Sequence, residues 1–167
     1  MKHREYMGEM DALTNVMGRR LFLNYCTKCQ NDRDDIDNKS KRKGWFLFID
    51  IDWINDTLGH TVGDETLKQI AESLKNIFSS YGAVGRVGGD EFAVIINEKM
   101  TKEQLEEQLK KFLLDISAIL PERTVSCSIG VYHFGFPKSQ KELLTRTDDA
   151  LYKAKEKGRA CYVILDE

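Results

Sequence analysis

The sequence predicts a single α+β domain, built on a central, mainly antiparallel five-stranded sheet flanked by helices. Two observations predict this class. Apolar residues recur either at helical spacing or in short runs bounded by turn residues, and the resulting elements follow the order α-β-α-β-β-α-β-α-β. The 167 residues, of which 41% are hydrophobic, suffice for one domain with a substantial core. We therefore expect residues 1–167 to form one domain, with residues 1–10 as its lead-in.

The first half of the chain predicts two helices around a buried strand. Apolar side chains recur at helical spacing over residues 3–29, whereas residues 30–44 are almost all polar and predict a solvated loop. The apolar run WFLFID at residues 45–50 predicts a buried strand, and a short helical piece is expected after it. Residues 64–78 then place their apolar side chains on one face of a helix.

Turn and capping residues bound the remaining elements. Two apolar runs flank Gly88 and Gly89, which favours a hairpin with a type I′ turn, because both central residues of that turn need positive φ. Capping boxes beginning at Thr101 and Ser139 predict two further helices, separated by the strand TVSCSIGVYHF. Gly158 suits the C-terminus of the last helix, and ACYVIL predicts the last strand.

Composition argues against several classes of function. The formal net charge of −2 gives no electrostatic footprint for nucleic-acid binding. No apolar stretch is long enough to span a membrane and no signal-peptide pattern is present, so we expect a cytoplasmic protein without direct membrane contact. The 4 cysteines are then expected to stay reduced.

Cys26 and Cys29 allow two interpretations. They could be half of a zinc site or a redox pair, or they could be ordinary cysteines of the first helix. A second CxxC is absent, and the 3 histidines do not form a ligand-spaced pair, which favours helix cysteines.

Four acidic residues stand near the ends of predicted strands. Asp50 and Asp52 end the first strand on the same side, because strand side chains alternate. Asp90 and Glu91 follow the Gly-Gly turn, and a hairpin beside the first strand could bring one of them close. Oxygen ligands with open positions suit Mg²⁺ and a phosphate substrate, but these residues suit helix caps and turns equally well. The spacing alone leaves both interpretations open.

Five segments, taken in order, resemble one protein family. Residues 86–96, RVGGDEFAVII, contain the Gly-Gly-Asp-Glu-Phe signature that names the GGDEF family of diguanylate cyclases. The other segments that resemble this family are DALTNVMGRR (11–20), FIDIDWINDTLGHTVGDETL (48–67), VSCSIGV (125–131) and DDALYKAKEKGR (148–159). The resemblance extends from Asp11 to Arg159.

The resemblance implies a palm-like fold, similar to that of nucleotidyl cyclases and polymerases. It also implies a diguanylate cyclase, which joins two GTP molecules into cyclic di-GMP and releases pyrophosphate, with Mg²⁺ or Mn²⁺ as cofactor. Each domain of such an enzyme holds one GTP, so catalysis requires a homodimer of facing domains. Family members usually follow a sensory or dimerising segment, so we expect an upstream sensor domain that is not in this chain.

The resemblance assigns metal and catalytic roles to the acidic residues. Asp50, Asp90 and the Ile51 carbonyl would bind the metal ion. Asp90 would also help to activate the ribose 3′-hydroxyl, and Glu91 is the neighbouring catalytic acid of the signature.

Further residues would contact the nucleotide. The resemblance implies that Asn55 and Asp64 read the guanine edge, where a carboxylate can accept from N–H donors and an amide can answer acceptors. It also implies that Gly88 and Gly89 let the main chain approach the triphosphate, since glycine has no side chain to obstruct it.

Lys155 and Arg159 would hold the terminal phosphates, according to the same resemblance. They are four residues apart and therefore share one helix face. Without the resemblance, the favoured interpretation is a solvated helix end whose positive charge complements the helix macrodipole.

The segment after Asp52 departs from the family pattern. The family usually has five residues between its second Asp and its Asn, whereas only Trp53 and Ile54 separate Asp52 from Asn55 here. Three fewer residues at a helical start shorten it by about 4.5 Å and rotate the succeeding residues by about 300°. The alternative function is therefore a catalytically impaired module that binds GTP or dimerises as a regulatory domain.

Two further positions depart from the pattern. Gly18 replaces the usual Asn of the opening motif, and we expect this change to loosen the first helix against the site. Residues 79–82 stand where many members carry the Arg-x-x-Asp of an inhibitory product site, but they contain neither Arg nor Asp. We therefore expect no inhibitory site of that type.

Overall fold

The computed structural model describes residues 8–31, 42–53, 59–120 and 125–167, and the order of its elements confirms the predicted order. The elements in these ranges are α1 (Arg19–Asn31), β1 (Lys43–Trp53), α2 (Gly59–Phe78), β2 (Gly82–Gly88), β3 (Glu91–Ile96), α3 (Lys102–Ser117), β4 (Val125–Gly135), α4 (Gln140–Glu156) and β5 (Tyr162–Asp166). None of the helices in these ranges is long and apolar enough to cross a membrane.

The sheet confirms the predicted α+β class. Its five strands lie in the order β2-β3-β1-β4-β5. β1 is antiparallel to β3 and β4, β2 and β3 form an antiparallel hairpin, and β5 is parallel to β4. In this register, Asp50 of β1 lies opposite Glu91 of β3 and opposite Ser128 of β4. The carboxyl end of β1 therefore meets the β2–β3 turn and the beginning of β4.

The two faces of β1 belong to different hydrophobic clusters, because strand side chains alternate. Trp45 and Ile51 lie on the face that packs with apolar residues of α2 and α3. Phe46 lies on the other face and packs with apolar residues of α1 and α4. By alternation, Asp50 and Asp52 continue this second face. The second face therefore changes from apolar to acidic at the end of β1.

Two glycines let the helices of the second face approach the sheet closely. A Cβ atom at Gly130 of β4 would lie 2.6 Å from the main-chain oxygen of Thr147 in α4. A Cβ atom at Gly85 of β2 would lie 2.6 Å from Cβ of Phe22 in α1. Both separations are shorter than a real Cβ atom can adopt. The close approach of α1 and α4 to the sheet therefore depends on glycine at these positions.

The predicted first helix is wrong over residues 8–18, because α1 begins only at Arg19. Met10 and Met17 instead form an antiparallel bridge, and Met17 also bridges to Gly85 of β2. The Asp-x-x-Thr sequence between the two methionines bonds to its own main chain, which competes with helix formation. The apolar residues of this segment therefore belong to a turn that lies against the sheet at β2, although their spacing is helical.

Gly18 connects this segment to α1. Its N–H donates a hydrogen bond of 2.9 Å to the Glu9 carbonyl, and its own carbonyl accepts one of 2.9 Å from Phe22 in the first turn of α1. A Cβ atom at Gly18 would lie 2.7 Å from the Glu9 oxygen. Glycine therefore permits a close main-chain contact here, which runs against the expected loosening of α1.

The β2–β3 hairpin forms where it was predicted, but the predicted type I′ turn is wrong. Neither Gly88 nor Gly89 has positive φ. The register between the two strands instead shifts between Arg86 and Gly88. The turn itself consists of Gly89 and Asp90, between the paired residues Gly88 and Glu91, and hydrogen bonds from the Arg86 side chain to the Gly89 carbonyl hold it in place.

The beginnings of α3 and α4 agree with the predicted capping signals. Thr101 and Gln104 form the full capping box of α3. At α4, the Ser139 side chain accepts the Glu142 N–H, while the Glu142 carboxylate accepts the Tyr132 hydroxyl at 2.8 Å. Only the Ser139 half of the second predicted box therefore forms, and the Glu142 side chain instead joins α4 to β4.

α2 begins at Gly59, earlier than the predicted start at residue 64. The short helical piece expected after β1 lies outside the described residues, as does Asn55.

Candidate functional site

Two carboxylates face each other across the centre of the sheet. Asp50, near the end of β1, pairs in register with Glu91, the first residue of β3. The Asp50 side chain is 17% exposed, and Glu91 is half-buried. Burial, followed by the negative charge of Asp50, raises the pKa of Glu91 above its usual value, although the charges of Lys155 and Arg19 act to lower it. The end of β1 is therefore a place where negative charge accumulates and a cation is favoured.

A main-chain hydrogen bond connects Asp90 to the end of β1. The Ile51 N–H donates a hydrogen bond of 2.9 Å to the Asp90 carbonyl, which ties the β2–β3 turn to β1. Asp90 itself is exposed. A Cβ atom at Gly88 would lie 2.8 Å from Oε1 of Glu91, whereas a Cβ atom at Gly89 would meet nothing within 4 Å. Gly88 therefore leaves room for Glu91, and Gly89 borders open space.

The Arg86 side chain supports the β2–β3 turn, a role that was not predicted from the sequence. Its Nε and Nη2 donate to the Gly89 carbonyl at 3.1 and 2.8 Å. Its Nη1 donates to Oδ2 of Asp11 at 3.1 Å. Asp11 also accepts the Thr14 N–H at 3.0 Å and the Thr14 hydroxyl at 2.6 Å. The resemblance of residues 11–20 to the family's opening motif was the available signal, but spacing alone does not join Asp11 to Arg86.

These contacts determine the protonation of Asp11. Burial raises its pKa, but hydrogen bonds from Thr14 and Arg86 and the positive charge of Arg86 outweigh that effect, so the pKa lies below its usual value. Asp11 therefore stays ionised and keeps Arg86 directed at the turn.

Lys155 of α4 and Arg159, which lies beyond the end of α4, pair with the two aspartates of β1. The expectation that the two residues share one helix face is therefore wrong, because Arg159 has a positive φ of 69°. The Lys155 ammonium forms an ion pair with Oδ2 of Asp50. The Arg159 guanidinium lies 3.9 Å from Oδ1 of Asp52, whose Oδ2 accepts the Ser128 hydroxyl at 2.8 Å. Ser128 is fully buried, so its hydroxyl holds the Asp52 carboxylate firmly. The sequence analysis placed Asp52 beside Asp50 but missed Ser128.

Arg159 reaches Asp52 through an unusual chain reversal after α4. Gly158, Arg159 and Ala160 all have positive φ, at 110°, 69° and 51°. Gly158 adopts this conformation freely, as predicted for a helix C-terminus, whereas Arg159 and Ala160 are held in it by their surroundings. The reversal directs Arg159 back toward the end of β1.

The donors at the end of β1 fit a divalent cation. The carboxylates of Asp50 and Asp90 and the main-chain oxygen of Ile51 are oxygen donors of the kind that Mg²⁺ or Mn²⁺ prefers. The Lys155 ammonium lies against Asp50 at the same place. Within the described ranges, no three His, Cys, Asp or Glu side chains are grouped closely enough to hold a metal ion by themselves. Main-chain, water or phosphate oxygens would complete the coordination of a cation there.

The structure brings several of the predicted site residues together at the end of β1. Gly88, Asp90 and Glu91 surround the end of β1, together with Lys155 from α4. Asp64 is an exposed residue on α2. The position assigned to Asn55 lies outside the described residues.

Cys26 and Cys29 belong to the packed interior. Both are buried in α1, where the Cys29 thiol donates to the Cys26 carbonyl at 3.4 Å. Burial, and then the neighbouring Cys29, raises the pKa of Cys26, so its reactive thiolate is disfavoured. Their location in a helix agrees with the favoured interpretation.

The comparison with protein families decides the identity of the domain. The family model described as "Diguanylate cyclase, GGDEF domain" matches residues 8–161. The chain belongs to the GGDEF family. The predicted resemblance is thereby confirmed, and the residues that surround the end of β1 include the signature of this GGDEF domain.

Curated relatives of the GGDEF domain are longer proteins. The chain is 36% identical over 156 residues to the probable diguanylate cyclase DgcI of Escherichia coli (strain K12), covering 90% of this chain and 32% of that protein. It is 35% identical over 161 residues to the diguanylate cyclase DgcM of the same strain, covering 93% of this chain and 38% of that protein. It is also 31% identical over 171 residues to the uncharacterized protein YtrP of Bacillus subtilis (strain 168), covering 97% of this chain and 27% of that protein. The chain therefore spans about a quarter to two fifths of these relatives.

Solved structures of GGDEF domains have the same fold. The coiled coil and GGDEF domain of DgcB from Caulobacter crescentus, in complex with c-di-GMP, matches with a TM-score of 0.83 at 21% identity, covering 98% of this chain and 89% of that chain. The GGDEF domain of PA1120 from Pseudomonas aeruginosa matches with a TM-score of 0.75 at 27% identity, covering 93% of this chain and 94% of that chain. These matches confirm the palm-like fold expected from the resemblance.

Proposed function

We propose that this GGDEF domain is a diguanylate cyclase, which condenses two GTP molecules into cyclic di-GMP and releases pyrophosphate. The observation that carries the proposal is the convergence of Asp50, the Asp90–Glu91 turn and Lys155 at the end of β1. Such a group combines oxygen ligands for a cation with a positive charge for phosphate. The diguanylate cyclases among the relatives support the same activity.

The acidic residues would hold the cofactor and the reacting group. Asp50, Asp90 and the Ile51 carbonyl would bind Mg²⁺ or Mn²⁺, which stabilises negative charge on phosphoryl oxygens. Asp90 lies exposed on the turn, where it can reach a ribose 3′-hydroxyl, and Glu91 is its acidic neighbour. The main-chain hydrogen bond between Ile51 and Asp90 would hold the β2–β3 turn in place beside the end of β1.

The remaining residues would position GTP. Lys155 and Arg159 would hold the terminal phosphates, with Gly88 and Gly89 admitting the triphosphate. The open space around Gly89 supports this role, because a phosphate could approach the main chain there without a clash.

Guanine specificity would come from Asn55 and Asp64. The exposed position of Asp64 on α2 leaves its carboxylate accessible to a base. Replacement of GTP by ATP tests this assignment, since ATP lacks the donor pattern that a carboxylate accepts.

The reaction would require two copies of the domain. Each copy would hold one GTP, so a homodimer with facing sites would form the product, in the cytoplasm where GTP is available. An upstream sensor would control that encounter.

Product analysis tests this proposal. The purified domain is incubated at high concentration with GTP and Mg²⁺, beside the Asp90→Ala variant, and cyclic di-GMP is measured by chromatography with mass detection. We expect product with the natural domain and none with the variant. If no Asp90-dependent product forms, the proposed activity is wrong.

The second candidate is a regulatory GGDEF module that binds GTP or dimerises without turnover. The short connection between Asp52 and Asn55 favours it, because the family's phosphate-facing residues are missing there. Calorimetric titration with GTP separates the candidates: binding without product supports the module, whereas binding with product supports the cyclase.

A further inference from the structure

The ion pairs that Lys155 of α4 and Arg159, beyond α4, form with β1 differ in closeness and exposure. The Lys155 and Asp50 side chains are 34% and 17% exposed, and their charged atoms are in direct contact. The Arg159 and Asp52 side chains are 57% and 10% exposed, and their charged atoms are 3.9 Å apart. Lys155 is therefore the closely held counter-ion, and Arg159 is the loosely held one.

We propose that Lys155 is an exchangeable counter-ion of Asp50: it neutralises Asp50 until a divalent cation binds there, and the cation then releases Lys155 to bind phosphate. This inference rests on the proposed function for the identity of the two ligands. It goes further by making the binding of the cation and that of the triphosphate mutually dependent.

Electrostatic competition makes the exchange necessary. Asp50 faces Glu91 across the strands, so loss of Lys155 without replacement would leave Asp50 beside a second carboxylate without its ion-pair partner. A divalent cation supplies more charge than an ammonium group. However, the cation and Lys155 Nζ compete for the same Asp50 oxygens, so each weakens the binding of the other.

Flexibility of the Lys155 side chain makes the exchange possible. The main chain of α4 is held against β4 at Gly130. The lysine stem has four rotatable bonds, so its ammonium can leave Asp50 while the helix stays in place. The Asp52 carboxylate can stay in place when Lys155 moves, because the buried Ser128 hydroxyl donates a hydrogen bond to it.

The consequence is a reciprocal coupling between cation and nucleotide. A cation on Asp50 frees Lys155 for the terminal phosphates, and a phosphate that captures Lys155 exposes Asp50 to the cation. By linkage, each ligand must increase the affinity of the other by the same factor.

Binding of Mn²⁺ alone tests the competition without any turnover. Free Mn²⁺ is measured by electron paramagnetic resonance in titrations of the natural domain, Lys155→Met and Lys153→Met. Lys153 is an exposed residue of α4, so its variant loses the same charge away from Asp50. We expect Lys155→Met to bind Mn²⁺ about tenfold more tightly, which corresponds to loss of one competing charge pair. Lys153→Met should change the affinity by less than about twofold.

A charge-conserving variant controls for misfolding caused by substitution at position 155. Lys155→Arg keeps a cation beside Asp50 and should retain the Mn²⁺ affinity of the natural domain. If Lys155→Met binds Mn²⁺ no more tightly than Lys153→Met, Lys155 does not compete for Asp50 and the inference is overturned.

Titration with GTP in EDTA tests the other half of the exchange. Asp50→Asn should bind GTP several-fold more tightly than the natural domain, because Lys155 is no longer held. Asp149→Asn, an exposed change on α4 with the same loss of charge, should bind GTP about as the natural domain does. Equal GTP affinities for the two variants would contradict the exchange. A domain that binds no GTP with or without Mg²⁺ would overturn the proposed function, and the Mn²⁺ comparison would still decide the exchange.

Discussion

Arg86 and Asp11, which are 75 residues apart in the sequence, form an ion pair with 3.1 Å between Nη1 and Oδ2. Both side chains are mostly buried, at 17% and 23% exposed. The same guanidinium donates two hydrogen bonds to the Gly89 carbonyl. A segment ahead of α1 therefore supports the turn that carries the proposed catalytic residues.

The Asp11–Arg86 pair should be measurable as a coupling energy. Because the pair is charge-assisted and partly buried, Arg86→Lys and Asp11→Asn should each lower the free energy of unfolding by about 1–2 kcal/mol. The double variant should lose clearly less than the sum of the two. Urea unfolding of the four proteins measures this cycle, and strictly additive losses would show that the two side chains do not stabilise each other.

Stability should also depend on pH through Asp11. Its pKa lies below the usual value of 3.8 in the fold, so the folded state binds fewer protons than the unfolded chain in this window. The contribution of Asp11 is therefore present above pH 3.8 and is lost as the pH falls through the lowered folded pKa.

Unfolding of the natural domain and of Asp11→Asn across this range checks the sign. We expect the advantage of the natural domain to be constant near neutrality and to shrink below about pH 4. An advantage that grew on acidification would mean that Asp11 is protonated in the fold.

Gly130 should be intolerant of any side chain. Gly130→Ala places a Cβ atom 2.6 Å from the Thr147 carbonyl, so α4 must move away from β4. We expect a loss of about 1–3 kcal/mol, the usual range for overpacking. Because α4 carries Lys155, the variant should also bind GTP more weakly in calorimetry.

Gly63→Ala is the matched control for Gly130→Ala. Gly63 lies within α2 and a Cβ atom there would meet nothing within 4 Å. Alanine should therefore stabilise the domain by about 0.5–1 kcal/mol, because it loses less main-chain entropy on folding. Thermal unfolding compares the two variants; equal losses would mean that the close approach of α4 has no energetic role.

The fold was predictable where local patterns and tertiary packing agree. The order of the elements, the Thr101 capping box and the apolar face of α2 all follow from short-range spacing. Residues 8–18 do not, because hydrogen bonding within the Asp11–Thr14 turn outweighs a helical pattern of apolar residues.

The members of the candidate site were largely predictable, but several of their contacts were not. Alternation along β1 places Asp50 and Asp52 together, and the signature places Asp90 and Glu91 beside them. The support from Arg86 and the ion pair of Lys155 depend on contacts between segments that are far apart in the chain. No spacing rule connects such segments, so these contacts emerge only from the folded structure.

The need for two facing copies of the domain should be visible in how cyclic di-GMP formation depends on protein concentration. Product per protein is measured from GTP and Mg²⁺ over a series of domain concentrations, with Asp90→Ala as the baseline at each point. Because two GTP-loaded copies must meet, we expect product per protein to rise with protein concentration until nearly all of the domain is dimeric. Product per protein that stays flat across the series, or never exceeds the Asp90→Ala baseline, would contradict condensation of two GTP molecules by facing domains.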